Sequence, residues 1–173
     1  MRRGLRMIKI KRAGLEHVEG ISRVCREGWI DTYKGILSLE NIERNNQIFY
    51  NHERITEEIN ESDGWDGYIV ALDQDQVVGA IGGGMTGQDK SEVFVLYLDP
   101  KRRGEGIGTK LLDFLTAIQR EKGAKEQWVS VQKGNMKGIP FYEKRGFEKI
   151  AEQPTYSNAE GENYISLRYS RKI

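Results

Sequence analysis

One stretch limits what this chain can fold into more than any other: Ser91 to Leu112, reading Ser-Glu-Val-Phe-Val-Leu-Tyr-Leu-Asp-Pro-Lys-Arg-Arg-Gly-Glu-Gly-Ile-Gly-Thr-Lys-Leu-Leu. It opens as an apolar, β-rich run and closes as the start of an amphipathic helix. The turn between them is dense in glycine and positive charge. Glycines let a backbone approach a ligand closely, and a helix start leaves several N–H groups without intrahelical partners. A strand feeding a helix through such a turn makes an anion site, best suited to phosphate.

The totals leave room for one domain over residues 1–173, with a core of useful size. The 27 basic and 26 acidic side chains nearly cancel, to a net +1. Nothing global then drives the chain toward nucleic acid or a membrane, and electrostatic specificity has to be local. The single cysteine, Cys25, excludes an internal disulfide and a multi-cysteine metal site, and His17 and His52, read as helix-surface residues, add no ligand cluster. No metal is expected. The basic start Met-Arg-Arg-Gly-Leu-Arg lacks the apolar run of a signal peptide, because Lys9, Lys11, Arg12 and Glu16 interrupt the residues after it. Residues 1–6 read as an N-terminal extension ahead of Met7. No run approaches transmembrane length, so a cytoplasmic location is expected. The composition is compatible with a monomer or a homodimer.

In order, Met7–Lys11 alternates as a first strand, and Ala13–Gly28 places Leu15, Val18, Ile21, Val24 and Cys25 at helical spacing. A break is expected at Asp31–Gly35, then a second helical region, in one or two pieces, over Ser38–Asn60. Tyr68–Leu72 and Val77–Ile81, joined by Asp73–Gln76, predict a β-hairpin. Gly82-Gly83-Gly84 predicts a bulge, a bend or a close backbone approach. After the helix that begins near Ile107, Gly123 predicts a C-terminal cap. Strands are expected at Gln127–Val131, Phe147–Ala151 and Tyr164–Tyr169, with a short helix at Gly138–Lys144. The order β-α-α-β-β-β-α-β-α-β-β predicts an α+β fold with helices on both faces of a mixed sheet.

Two familiar phosphate motifs do not fit. Gly108-Thr109-Lys110 reverses the Lys-Thr order of a Walker loop, and Leu111 stands where a dinucleotide fingerprint needs its third glycine. What remains is Arg103-Gly104-Glu105-Gly106-Ile107-Gly108, an Arg-x-x-Gly-x-Gly pattern at a strand-to-helix junction. In that pattern the sequence resembles the GNAT superfamily of acetyl-CoA-dependent N-acetyltransferases. Leu96-Tyr97-Leu98-Asp99-Pro100 before the loop fits the same family. So does Asn135 followed by Phe141-Tyr142-Glu143-Lys144-Arg145-Gly146-Phe147, although Gly138 replaces the usual alanine and Pro140 is unusual.

The resemblance implies a mostly antiparallel central sheet of about six to seven strands with about four helices on its two faces. It implies that Arg103, Gly104, Gly106, Ile107, Gly108 and Thr109 cradle the pyrophosphate of acetyl-CoA. Pantetheine would run beside Leu96 and Leu98, and Asn135 would bond backbone or cofactor atoms. The acceptor would be a small-molecule or peptide amine, acetylated directly in a ternary complex. Tyr142 is then expected as general acid at the thioester sulfur, and Glu92 as the base that deprotonates the amine, directly or through water. Trp29 and Tyr33 are expected at the amine pocket. The acidic Glu57, Glu58, Glu61, Asp63, Asp66, Asp73 and Asp75 would suit a cationic acceptor or simply form a solvated face. Cys25, on an apolar helix face, reads as packing. The alternatives are a non-catalytic acyl-CoA-binding or regulatory domain, and a nucleotide-binding module.

Overall fold

The computed structural model describes residues 7–173, so the extension expected at residues 1–6 lies outside the described residues. Strand β1 is Lys9–Arg12, a mostly exposed edge whose charged alternation discourages further pairing. A 3₁₀ turn at Leu15–His17 leads into helix α1, Val18–Tyr33. Leu15 is 65% exposed and off the apolar stripe, whereas His17 is buried, its Nδ1 accepting from the Gly14 N–H at 2.9 Å. His17 is thus a capping residue of the interior and not the surface histidine that spacing suggested. The expected break at Asp31 is also absent. Helix α1 continues to Tyr33 because its last turn packs Trp29 against Tyr33, Tyr50 and Tyr97, with ring centroids 5.1, 5.8 and 5.9 Å away.

The second helical region is two helices. Helix α2, Leu39–Phe49, is capped by Ser38, and α3, His52–Glu57, by Asn51; each side chain accepts from a backbone N–H three residues on. That split raises the helix count to five among the described residues. Strands β2, Ile69–Asp73, and β3, Gln76–Met85, form the hairpin with a two-residue turn, tighter than expected. Gln74 and Asp75 both take left-handed backbone angles (φ 49° and 69°), the twist such turns need. Strand β3 runs on through the three glycines. The register shifts between Gly82 and Gly83, and a Cβ on Gly84 would collide with the carbonyl oxygen of Gly64. Bulge and close backbone approach therefore coincide.

Strand β4, Lys90–Leu98, is followed by helix α4, Ile107–Glu121, which ends at Lys122 with Gly123 at φ 98°. Strand β5, Glu126–Gln132, helix α5, Gly138–Lys144, and strands β6, Glu148–Pro154, and β7, Ile165–Lys172, complete the chain. Among the described residues the sheet has seven strands in the order β1-β2-β3-β4-β5-β7-β6. All neighbours are antiparallel except β4 and β5, whose parallel pairing uses α4 as its crossover. One core packs α4 and α5 on one face, centred on Ile107, Leu111, Leu112 and Leu115. The other packs α1 and α3 on the opposite face through Ile21, Val24, Cys25 and Ile55.

Candidate active site

Strands β4 and β5 pair only from Lys90–Val93 to Glu126–Val129. Beyond that point they part. Opposite the Gly82–Gly83 bulge, β4 pairs through Val93 and Val95 and leaves Phe94 outside the ladder. A bulge bends and twists its strand, and here it turns the second half of β4 away from β5, which stays paired with β7 through Ser130, Val131 and Gln132. The gap is a groove of about 130 Å³ lined by Leu96, Leu98, Val129, Val131, Phe141 and Tyr142 among others. Leu96 and Leu98 line it from β4, which leaves backbone groups there without a neighbouring strand.

The glycine loop stands at one end of this groove. Gly104 and Gly106 have φ of 81° and 79°, Gly106 as the N-cap of α4. A side chain at either would be strained, and no atom lies within 4 Å of the position its Cβ would take. The loop surface is open there. The first helical bond of α4 runs from the Lys110 N–H to the Gly106 carbonyl, so the N–H groups of Ile107, Gly108 and Thr109 precede it at the positive end of the helix dipole. The Ile107 side chain is fully buried and anchors the loop from below. The Thr109 hydroxyl accepts from the Arg145 guanidinium, which stacks 3.7 Å from the Phe141 ring centroid.

The basic residues divide into two roles. Arg102 is a clip: its guanidinium bonds both oxygens of Glu105 at 2.8 and 2.9 Å and Asp73 at 2.8 Å, fixing the loop to the β2–β3 turn. Arg103 lines the groove and reaches Asp31 at 3.3 Å, and Lys137 at the start of α5 reaches the same carboxylate at 2.8 Å. The Lys137 hydrogen bond leads the causes that hold the Asp31 carboxyl below its usual range. Asp31 is therefore a bridge to two groove cations.

Tyr142 lines the groove and is 8% exposed, its ring set edge-on to Phe141 and Phe147 at 5.1 and 5.3 Å. Burial pushes its phenol well above the ordinary range, so it stays protonated at working pH. Asn135 is buried beside it. Its Oδ1 accepts from the N–H groups of Lys137 and Gly138 at 3.2 and 2.8 Å, which caps α5, and its side chain also meets the Tyr33 hydroxyl. Cys25 is fully buried, which raises its thiol far above neutrality and leaves a packing residue.

Glu92 is engaged by a distant arginine. Its two carboxylate oxygens accept from Arg168 at 2.6 and 2.9 Å in a bidentate pair, and it lines neither the groove nor the cleft next to it. Arg168 also donates to Ser130 Oγ at 2.7 Å and lies over the Trp128 ring. Both oxygens of this carboxylate are occupied by the guanidinium, so an amine in the groove would have to displace Arg168 to reach them. The partner lies 76 residues downstream, and no local signal announces it.

A second cleft, of about 290 Å³, adjoins the groove. The two share Tyr33, Phe94, Val95, Tyr97 and Ser130 as walls. Trp29 and Tyr33 are both in its lining, with Tyr50, Trp65 and Tyr68, which spacing alone did not single out. Its far side is the β6–β7 loop, clamped to α2 by Glu162, which bonds Arg44 at 2.6 Å and Asn41 at 3.1 Å. Four of the seven acidic residues of the middle segment are absorbed by structure: Lys122 bonds Asp66 at 2.6 Å and Glu61 at 3.2 Å, Arg102 takes Asp73 and Arg54 takes Glu58. Among the described residues no group of three or more His, Cys, Asp or Glu side chains is arranged to hold a metal ion, and no helix is long and apolar enough to cross a membrane.

Comparison with known proteins converges on one kind of chemistry. A family model described as "Acetyltransferase (GNAT) family" matches residues 33–147. A curated relative, the spermidine N(1)-acetyltransferase of Thermoplasma acidophilum, is 32% identical over 143 residues, covering 82% of this chain and 88% of its own. Among solved structures, the PaiA N-acetyltransferase of Thermoplasma acidophilum in complex with coenzyme A superposes with a TM-score of 0.81 at 29% identity, covering 96% of this chain and 99% of its own. Ard1 of Thermoplasma volcanium shares the fold, with a TM-score of 0.69 at 20% identity over 96% and 97% of the two chains.

Proposed function

The chain belongs to the GNAT acetyltransferase family and is an acetyl-CoA-dependent N-acetyltransferase, and from that premise we propose how its two cavities divide the work. The β4–β5 groove takes the acetyl donor, and the adjoining aromatic cleft takes a small primary amine. One observation carries this reading: the parting of β4 from β5 beyond Val93 opens a groove lined by Arg103 and Gly108, which flank the glycine turn at the start of α4.

The residues present suit acetyl-CoA. The N–H groups at the start of α4 and the open surface of Gly104 and Gly106 meet the pyrophosphate, with Arg103 and Lys137 in reach once they leave Asp31. Leu96 and Leu98 flank the pantetheine arm. The thioester supplies an activated acetyl group, and transfer forms one N–C bond, breaks one C–S bond and moves one proton from nitrogen to sulfur. Tyr142, kept neutral by burial, donates to the departing sulfur. Glu92 holds Arg168 and so braces the wall at Ser130. Direct transfer needs no metal and no acyl-enzyme on Cys25. Every residue used lies on one chain, and a cytoplasmic setting, where acetyl-CoA and free amines coexist, belongs to the proposal.

A thermal shift tests the donor half. At a hundredfold excess over Kd, acetyl-CoA stabilises the folded chain by about 2.7 kcal/mol, roughly 5–11 °C for a domain of this size. No shift at millimolar acetyl-CoA refutes the assignment of the groove.

A further inference from the structure

Building on the assignment of the groove to acetyl-CoA, we propose that the acceptor is a monoamine with a slender aromatic or apolar body, taken into the cleft as its uncharged free base. The charge of the cleft carries the inference. Among the described residues its ionic lining is Arg54 and Glu58, and these pair with each other, Nε to Oε1, at 3.2 Å. Nearby carboxylates outside the lining are likewise engaged: Glu162 by Arg44, and Glu92 by Arg168. The phenols of Tyr33, Tyr50, Tyr68 and Tyr97 supply no negative charge, since burial raises each of them. Among the described residues the one carboxylate an ammonium meets in this lining, Glu58, is already shared with Arg54 through Oε1, and a charge buried without a full partner is heavily penalised.

Aromatic faces do not compensate. Cations bind ring faces, but Arg54 already stands over Phe49, 4.7 Å from its centroid, and places a fixed positive charge in the lining. Trp29, Tyr50 and Tyr97 pack against one another at 5.8 to 6.1 Å. Trp29 Nε1, buried without a partner, is a donor and offers a cation nothing. A polyamine brings several ammonium groups to this cleft and a monoamine only one. That one reacts only as the free base, whose lone pair forms the N–C bond while its single surplus proton passes to sulfur. An ammonium must first lose another proton, and Glu92, held by Arg168, is not placed to take it.

Shape points the same way. At about 290 Å³ the cleft lies at the small end of ligand cavities, about 300–1,000 Å³. Thr155, Tyr156, Ser157 and Tyr164 of the clamped β6–β7 loop line it, and the Tyr164 hydroxyl accepts from the Ser38 N–H at 2.9 Å. A peptide chain would have to displace that loop.

The test measures thiol release by the purified protein at saturating acetyl-CoA, with phenethylamine, spermidine and a short peptide bearing a free amino terminus. Phenethylamine is expected to exceed both others in kcat/KM by at least about tenfold, with kcat/KM rising about tenfold per pH unit from 6.5 to 8.5 as free base accumulates. Preference for spermidine or the peptide, or a flat pH profile, overturns the proposal. Tyr156→Glu adds a carboxylate at the 83%-exposed mouth of the cleft and should shift the ratio toward spermidine severalfold; an unchanged ratio counts against the charge argument. Should acetyl-CoA bind while no amine releases thiol, the transferase reading of this cleft falls, and this inference with it.

Discussion

Replacing Glu92 with glutamine separates the two things a carboxylate at this position can do. The side chains of Glu92 and Arg168 are 14% and 20% exposed, so their pair lies between the buried and surface limits. Removing one member of a buried pair costs about 3–5 kcal/mol, and an exposed pair contributes about 0.2–1 kcal/mol. Arg168 keeps Ser130 and the Trp128 face, and glutamine still accepts one hydrogen bond. We therefore expect a loss of about 1–3 kcal/mol. At roughly 2–4 °C per kcal/mol for a chain of this size, the melting temperature falls by about 2–12 °C. Turnover, measured by thiol release well below the new transition, should stay within about twofold. Arg168→Met should destabilise similarly, and the double variant should cost less than the sum of the singles. A fall in kcat of about 10²–10⁴-fold with an unchanged melting temperature is what a general base would give, and it would refute the account of Glu92 as a brace.

Tyr142→Phe should lower kcat by about 10²–10⁴-fold while leaving the acetyl-CoA Kd from calorimetry unchanged; full turnover in a folded variant would remove the acid. Asp31→Asn frees Arg103 and Lys137 from partly exposed pairs of about 0.2–1 kcal/mol each, so acetyl-CoA should bind about 2–30-fold more tightly at low salt, and the gain should shrink near 1 M salt. The folded-state pKa of Asp31 is depressed, so its pairs stabilise the fold above the ordinary carboxylate range and are lost as pH falls through the lowered value; the wild type should gain donor affinity only in that acidic window. Gly106→Ala forces a side chain to φ 79° at a cost of about 1–2 kcal/mol and should weaken acetyl-CoA binding by calorimetry at least about tenfold.

The donor half of the site was legible because its signals are local. An apolar run, two glycines needing positive φ and an apolar helix stripe all fall within Ser91–Leu112. The bounds of α5, Gly138–Lys144, came from a motif of similar span. The acceptor half depends on partners far apart in the chain. Glu92 meets Arg168, Glu162 meets Arg44, and Asp66 meets Lys122, each pair more than fifty residues apart. Charge counting along Glu57–Asp75 overstated the acidity of the cleft for that reason. The end of α1 was misplaced because Gly28 and Asp31 look like breakers in isolation, whereas Trp29 also packs on Tyr50 and Tyr97, which lie far along the chain. Leu96 and Leu98 could be assigned to one face of β4, but the skipped Phe94 depends on the glycines across the ladder.

Helix α4 joins the two halves. Its first turn faces the donor groove. Near its other end Lys122 and Gln119 hold Asp66, at 2.6 and 3.2 Å, and so fix the segment that carries Trp65 into the amine cleft. Fifteen residues at about 1.5 Å each separate these ends by roughly 22 Å. Substitutions that far apart, without shared partners, act independently. A lineage built on this scaffold can therefore exchange one guest for another by editing the segment tied to the far end of a rod. The handle for the common donor need not move while it does so.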